Sequence, residues 1–255
     1  MPRRDGITIP SLDSQMSISF IRELTKTAVA MARTPEVDTF LETHVLPQEF
    51  FDLLARFYRD FDAYLEYNLE ASDLDVMCGE GCDSCCSQTL SGLYSFETVN
   101  LYRVIRQWED YTVVHNRLAQ DSEAFHELLA GLVSDQSGQV RSDDPALPEA
   151  REEYAKLGRP CALLQDGNCR VYEHRPIVCR GYHSLTAPKY CGDKNIAENF
   201  LFDVPKELDR MLWALSERME FDGIARWFPQ GLVLFAYNVM ETKPLPGYEL
   251  TSKNS

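Results

Sequence analysis

Cationic side chains are scarce in this sequence: 25 Lys and Arg stand against 40 Asp and Glu, for a formal net charge of −15. A nucleic-acid binder neutralises phosphates with clustered Lys and Arg, so no nucleic-acid partner is expected. Long apolar runs are missing too. Nothing approaches the roughly 18 consecutive apolar residues of a membrane span, and no membrane association is expected. Arg3-Arg4 is the kind of pair that opens some export signals, but Asp5, Gly6, Ser11, Asp13 and Ser14 interrupt the apolar stretch that would have to follow. The chain has no glycine-rich phosphate loop, no G-x-S-x-G elbow and no H-E-x-x-H pair, which sets aside the chemistries those motifs carry. A glycine loop for S-adenosylmethionine is also lacking, which weighs against methyl transfer. No internal repeat is present. The expectation is a soluble cytoplasmic protein, with a protein partner or protein substrate as the remaining class of macromolecular ligand.

Apolar residues make up 44% of the 255 positions and aromatics 11%, enough to bury a real core. Cysteines are therefore not needed as staples. In a reducing compartment thiols serve as ligands or redox groups more often than as disulfides. There are eight of them, in two groups of four: Cys78, Cys82, Cys85 and Cys86 within nine residues, then Cys161, Cys169, Cys179 and Cys191.

Taken in order, residues 1–77 read as an N-terminal helical region, 78–191 as a cysteine-cluster region and 192–255 as a C-terminal helical region, together forming one compact domain. Phe20, Ile21, Leu24, Ala28, Val29 and Met31 recur at helical spacing, and Pro35 suits the first turn of a second, short helix. From Pro47 to Glu70 a longer helix carries Phe50, Leu54, Phe57, Phe61, Leu65 and Leu69 on one stripe, which reads as ordinary core. Ser95 is placed to cap one further helix and Asp121 another. Ser134 to Asp144 reads as a loop, and Pro148 and Gly158 bracket a short helix. Asp166-Gly167, set between Ala162-Leu163-Leu164 and Cys169-Arg170-Val171-Tyr172, predicts a tight hairpin that brings Cys161 and Cys169 together. Pro176 starts a short turn containing Cys179. Asp203-Val204-Pro205 reads as the start of a helix with Leu208, Met211, Leu212, Leu215 and Met219 inward. Leu232 to Met240 is ambiguous between helix and buried strand, and the tail from Thr242 is expected to fray. The expected fold is mainly α, a helical domain around a cysteine-rich metal centre with one small β-hairpin.

Thiolates are soft ligands that select zinc, copper(I) or iron in clusters. Spacings of two or three residues let sulfurs converge from one turn, and Gly79 and Gly81 permit the backbone that this requires. Cys85 and Cys86 are adjacent. Closing one tetrahedral site with both would force a small strained ring, so they are expected to serve different metal atoms or different sites. Arg159, Arg170, Arg175 and Arg180 are close in sequence to the second group, where their charge would favour thiolates.

The run Cys78-x3-Cys82-x2-Cys85-Cys86, followed by Cys161-x7-Cys169-x-Val171-Tyr172-Glu173-x-Arg175-Pro176-x2-Cys179-Arg180, resembles the cysteine-cluster family of YkgJ-type proteins, described as zinc- or iron-chelating. The resemblance covers roughly Cys78 to Cys191. It implies metal ligation by Cys78, Cys82, Cys85, Cys86, Cys161, Cys169, Cys179 and Cys191. Related motifs occur in flagellin lysine N-methylases, a likeness that implies an iron–sulfur cluster, of 4Fe-4S type, as cofactor. Where the family commonly has proline after the first cysteine of the second group, this chain has Ala162.

The functional expectation is an intracellular metal-binding protein that holds an iron–sulfur cluster or a multinuclear zinc site, with a redox or modification role. The alternatives are a structural zinc protein with a partner-binding helical surface and a protein N-methylase-like enzyme. His174 and His183 flank Cys179 and are read as neighbours of the ligands rather than ligands, because the cysteines already supply two sets of four. Tyr172 is expected to pack under the hairpin, Pro176 to fix the approach of Cys179, and Arg175 to balance thiolate charge. No catalytic residue is assigned.

Overall fold

The computed structural model describes residues 14–72, 74–79, 81–86, 90–132, 146–191, 198–202, 204–219 and 227–240. The expected loop at Ser134–Asp144, the expected cap at Asp203 and the tail from Thr242 lie outside these. In chain order the helices are α1 (Gln15–Ala32), α2 (Phe40–Thr43), α3 (Gln48–Ala71), α4 (Ser95–Ile105), α5 (Tyr111–Leu132), α6 (Ala146–Lys156), α7 (Ile177–Gly181), α8 (Lys206–Arg218) and α9 (Gln230–Met240). The strands are β1 (Leu90–Ser91), β2 (Leu164–Gln165), β3 (Asn168–Cys169), β4 (Tyr182–Ser184), β5 (Asn199–Leu201) and β6 (Trp227–Phe228), and single 3-10 turns occupy Pro35–Val37, Tyr172–His174 and Pro188–Tyr190. No helix among the described residues is long and apolar enough to cross a membrane.

The mainly helical expectation holds, and the β structure exceeds it. The single expected hairpin forms as β2 against β3, with Asp166 at φ +52° and Gly167 at φ +77°, the two positive φ values of the turn that suits a right-handed strand twist. Two further antiparallel pairs exist, β1 with β6 and β4 with β5. Their strands are two or three residues long, too short to show an alternating pattern in the sequence. The ambiguous stretch Leu232–Met240 is helix.

Contacts divide the chain into two compact units, Met1–Cys85 with Tyr172–Met219 and Cys86–Val171 with Glu220–Ser255. In the first, α1 packs on α3 and α8. Leu24, Ala28 and Met31 of α1, Phe50, Leu54, Phe57, Phe61 and Leu65 of α3, and Leu208, Leu212 and Leu215 of α8 are all buried. The aromatic stripe of α3 is core, as expected. Its rings run in sequence, Phe57 on Phe61 at 6.3 Å, Phe61 on Tyr64 at 6.1 Å and Tyr64 against Phe202 at 5.7 Å. Polar ties cross this interface too, among them Ser17 Oγ donating to Asn68 Oδ1 at 3.0 Å and Arg218 Nη1 donating to Ala32 O at 2.7 Å.

In the second unit α5 packs on α6 and α9, and α4 on α9. Trp227 stacks on Phe125 at 5.8 Å, and Phe125 meets Tyr154 edge-on at 5.9 Å. Two expected helix starts are corrected here. Ser95 is buried and already helical; the start is held by Glu97, whose Oε2 accepts the Tyr94 N–H at 3.1 Å. Asp121 caps nothing, because α5 runs unbroken through it. Its carboxylate instead accepts from Arg159 Nη1 at 3.1 Å, so a residue with cap chemistry is used for a tertiary ion pair within α5's buried face.

Candidate metal centre

The first cysteine group sits on a non-helical segment docked beside β4. Met77 N–H donates to Ser184 O at 2.8 Å, and Ser184 N–H donates to Cys78 Sγ at 3.1 Å. Cys82 N–H returns to Gly79 O at 3.1 Å, with Gly81 at φ +82°, the tight turn that the glycines were expected to permit. Cys191 comes from far downstream, at the end of the 3-10 turn after β4. Its carbonyl accepts from Asn199 Nδ2 at 3.0 Å, and its sulfur faces Thr186 O at 4.0 Å. Burial raises the pKa of the Cys78 thiol above its ordinary value. The Ser184 N–H opposes this, and the charges of Cys82, Cys85 and Cys191 add to the rise. Three other thiols of the same unit thus act electrostatically on Cys78.

In the second unit, Cys161 N–H donates to Cys86 O at 2.7 Å, and Cys161 O accepts from Leu164 N–H at 2.9 Å at the foot of the hairpin. Burial pushes the Cys161 thiol up to about 12. The backbone N–H of Leu163 counteracts, the charges of Cys169 and Asp121 raise it further, and Arg117 lowers it. The hairpin thus brings Cys161 and Cys169 together as expected.

The grouping differs from the order along the chain. Cys191, from the downstream set, acts on the upstream Cys78, whereas Cys86 joins Cys161, and the adjacent Cys85 and Cys86 belong to different units. Cys179 lies in the first unit on α7, its N–H donating to Pro176 O at 2.9 Å. None of the eight cysteines is joined in a disulfide.

The donors are chemically suited to a soft metal: several thiols in one unit, one of them holding a backbone N–H···S bond. Asn199 Oδ1 is buried, its amide reaching Cys191 O, and has no hydrogen-bond partner among the described residues, a polar atom that a bound group or its water would satisfy. Yet among the described residues no three His, Cys, Asp or Glu side chains stand close enough to grip one metal ion. The sulfurs must draw closer to close a coordination sphere.

The four arginines have partners other than those expected. Arg159 pairs with Asp121. Arg170 makes a two-pronged contact to Asp110, at 2.6 and 2.9 Å, and lies 3.7 Å over Trp108. Arg175 lies 3.8 Å from Asp62 and 3.9 Å over Tyr172. Tyr172 thus lies under the Arg175 guanidinium and is exposed, at 38%. Arg180 is buried: Nε donates to Arg175 O at 2.9 Å, Nη2 to Glu173 O at 2.6 Å and Nη1 to Asp62, with the Tyr58 ring 4.3 Å away. The guanidinium whose charge acts on Cys161 is Arg117, one helical turn before Asp121 on α5. Reading the sequence from the cysteines outward passes over it, and over the Ser184 amide and Asn199, since neither backbone donors nor residues so distant carry a local signal.

His183 lies against Phe200, ring centres 5.5 Å apart, and neither ring nitrogen has a hydrogen-bond partner among the described residues. Burial, and then Arg175, push its pKa down to about 4. His115 is also lowered by burial, and His126 is exposed.

No protein-family model, no curated protein and no solved structure matches this chain.

Proposed function

We propose that this chain is a thiolate metal-binding protein whose first unit holds an iron–sulfur cluster through Cys78, Cys82, Cys85 and Cys191, in a redox or modification role. The observation that carries the proposal is the Cys78 thiol, which accepts a backbone N–H and feels the charge of three other cysteines, one of them from the far end of the motif. Thiols are soft donors of the kind iron in clusters and zinc prefer. The resemblance to YkgJ-type proteins supports the same reading and extends the ligand set to Cys86, Cys161 and Cys169 in the second unit and to Cys179 in the first.

Residues of this chain prepare the site in three ways. The Ser184 N–H favours the ionised form of Cys78, Gly81 at φ +82° accompanies the bond that returns Cys82 N–H to Gly79 O, and Asn199 pins the backbone of Cys191. A bound cluster supplies one-electron chemistry, its potential tuned by hydrogen bonds to sulfur and by burial.

The test is quantification of iron, sulfide and zinc on protein purified without oxygen, with its visible spectrum. Brown protein is expected. Cys78→Ser and Cys191→Ser should each lose the first unit's metal, while Cys161→Ser retains it. Colourless protein with stoichiometric zinc rejects iron and leaves a structural zinc site, as closed four-thiolate sites generally are. A well-folded protein with neither metal and freely alkylated thiols overturns the proposal. Calorimetric binding of S-adenosylmethionine would move the role toward N-methylation.

A further inference from the structure

Buried polar side-chain atoms in folded proteins almost always have a hydrogen-bond partner. Three nitrogens of two basic side chains flanking α7 depart from that rule together: Arg175 Nε, His183 Nδ1 and His183 Nε2 are buried without a partner among the described residues. Arg175 precedes α7, its carbonyl held by Arg180 Nε at 2.9 Å. His183 follows α7 as the middle residue of β4, opposite Phe200 of β5. After burial, the charge of Arg175 is the cause that lowers the pKa of His183 to about 4, so the two side chains are electrostatic neighbours.

The contacts Arg175 makes leave its Nε–H unused. Its guanidinium carbon lies 3.9 Å from the centre of the Tyr172 ring. Asp62 Oδ1 is 3.8 Å from Nη2, beyond hydrogen-bonding distance, and Asp62 Oδ2 accepts instead from Arg180 Nη1. Two basic groups are thus set side by side with no acceptor on the nitrogens they bury. Each disfavours the charge of the other, and an anion between them relieves both.

We propose that Arg175 and His183 bind the carboxylate group of a small molecule, its two oxygens accepting from the Nε–H and Nη–H fork of Arg175 and one of them also from the His183 N–H. The planar fork matches a carboxylate, and a neutral imidazole offers one N–H for the remaining lone pair. Asp62 decides the class of anion: standing beside Arg175, it repels a dianion such as hydrogen phosphate about twice as strongly as a monoanion. Arg175 keeps 24% of its side chain at the surface, and a rotation of that side chain opens the enclosed nitrogens to the ligand. Ser184, next along β4, is the residue whose N–H reaches Cys78 Sγ, but the inference does not rest on a metal there. Metal content decides the thiolate proposal and leaves this one untouched.

The test is a thermal melt of the full chain, as purified, titrated with sodium acetate at constant ionic strength. Acetamide, of the same shape without the charge, and inorganic phosphate are run alongside. Acetate should raise Tm saturably, as a ligand of the folded state does, with acetamide inert and phosphate weaker. Arg175→Gln should raise the dissociation constant for acetate by about tenfold. Arg175→Lys keeps the charge but loses the fork, and His183→Phe keeps the ring against Phe200; each should weaken acetate several-fold, with circular dichroism unchanged. No saturable rise, an equal rise with acetamide, tighter binding of phosphate than of acetate, or an acetate constant unaltered in Arg175→Lys or in His183→Phe overturns the proposal.

Discussion

Arg180→Met is expected to destabilise the first unit by about 3–5 kcal/mol. The guanidinium is almost wholly enclosed, its side chain 2% exposed, and each of its three nitrogens donates: Nε and Nη2 to the carbonyls of Arg175 and Glu173, Nη1 to Asp62. A hydrogen bond from a charged donor contributes about 1.5–3 kcal/mol net, and the face of Tyr58 adds about 0.5–2 kcal/mol. The Asp62 contact deserves a discount, because that carboxylate is 41% exposed and water screens it. Methionine recovers part of the loss by filling the space without the cost of enclosing a charge. Asp62→Asn should therefore cost only about 1 kcal/mol. The assay is urea denaturation combined with amide hydrogen exchange over residues 172–184, which resolves this unit from the other. Exchange at Cys179 and Arg180, whose amides bond to Pro176 O, should rise in the methionine variant. A loss below about 1 kcal/mol, or equal losses for the two variants, would refute the claim that the carbonyls carry the clamp.

Two further perturbations follow from the β4–β5 pair. Gly181→Ala would set a new Cβ 2.8 Å from Phe202 O; that backbone is tied to Gly181 by a 2.7 Å hydrogen bond, so the variant should lose about 1–3 kcal/mol in a thermal melt. His183 has a folded pKa of about 4, below its ordinary 6.5, so the neutral ring is favoured in the folded state. Its contribution is complete above about 6.5 and is lost as pH falls toward 4, by at most about 3 kcal/mol. His183→Phe should remove that acid sensitivity without loss at neutral pH, since neither ring nitrogen has a hydrogen-bond partner to forfeit among the described residues; unchanged acid sensitivity in urea titrations at pH 4 to 7 would count against it.

What the sequence disclosed and what it withheld divide along physical lines. Periodicity marked α1, α3 and α8 because each buries one face, and Asp166-Gly167 marked its turn because few dipeptides accept two positive φ values. Gly81 marked the bend before Cys82, where its φ is +82°. Pairing across long separations was not legible. Leu90 meets Phe228 and Ser184 meets Asn199 through strands of two or three residues, and both the Ser184 N–H and the distant Cys191 act on Cys78. Asp121 misled for a different reason: its short carboxylate has the same local chemistry whether it caps a helix or reaches Arg159, and only tertiary structure chooses.

The two units are not successive along the chain. The first opens and is completed on either side of a long inserted segment of the second, whose own last stretch follows. On a ribosome, Cys78, Cys82 and Cys85 would emerge long before Ser184 and Cys191 exist to meet them, so the first unit's sulfur set stays incomplete until most of the second has been synthesised. A fragment cut at residue 86 or 172 would sever one unit from its remaining half; joining 1–85 directly to 172–219 with a short linker is the arrangement that respects how the contacts are distributed.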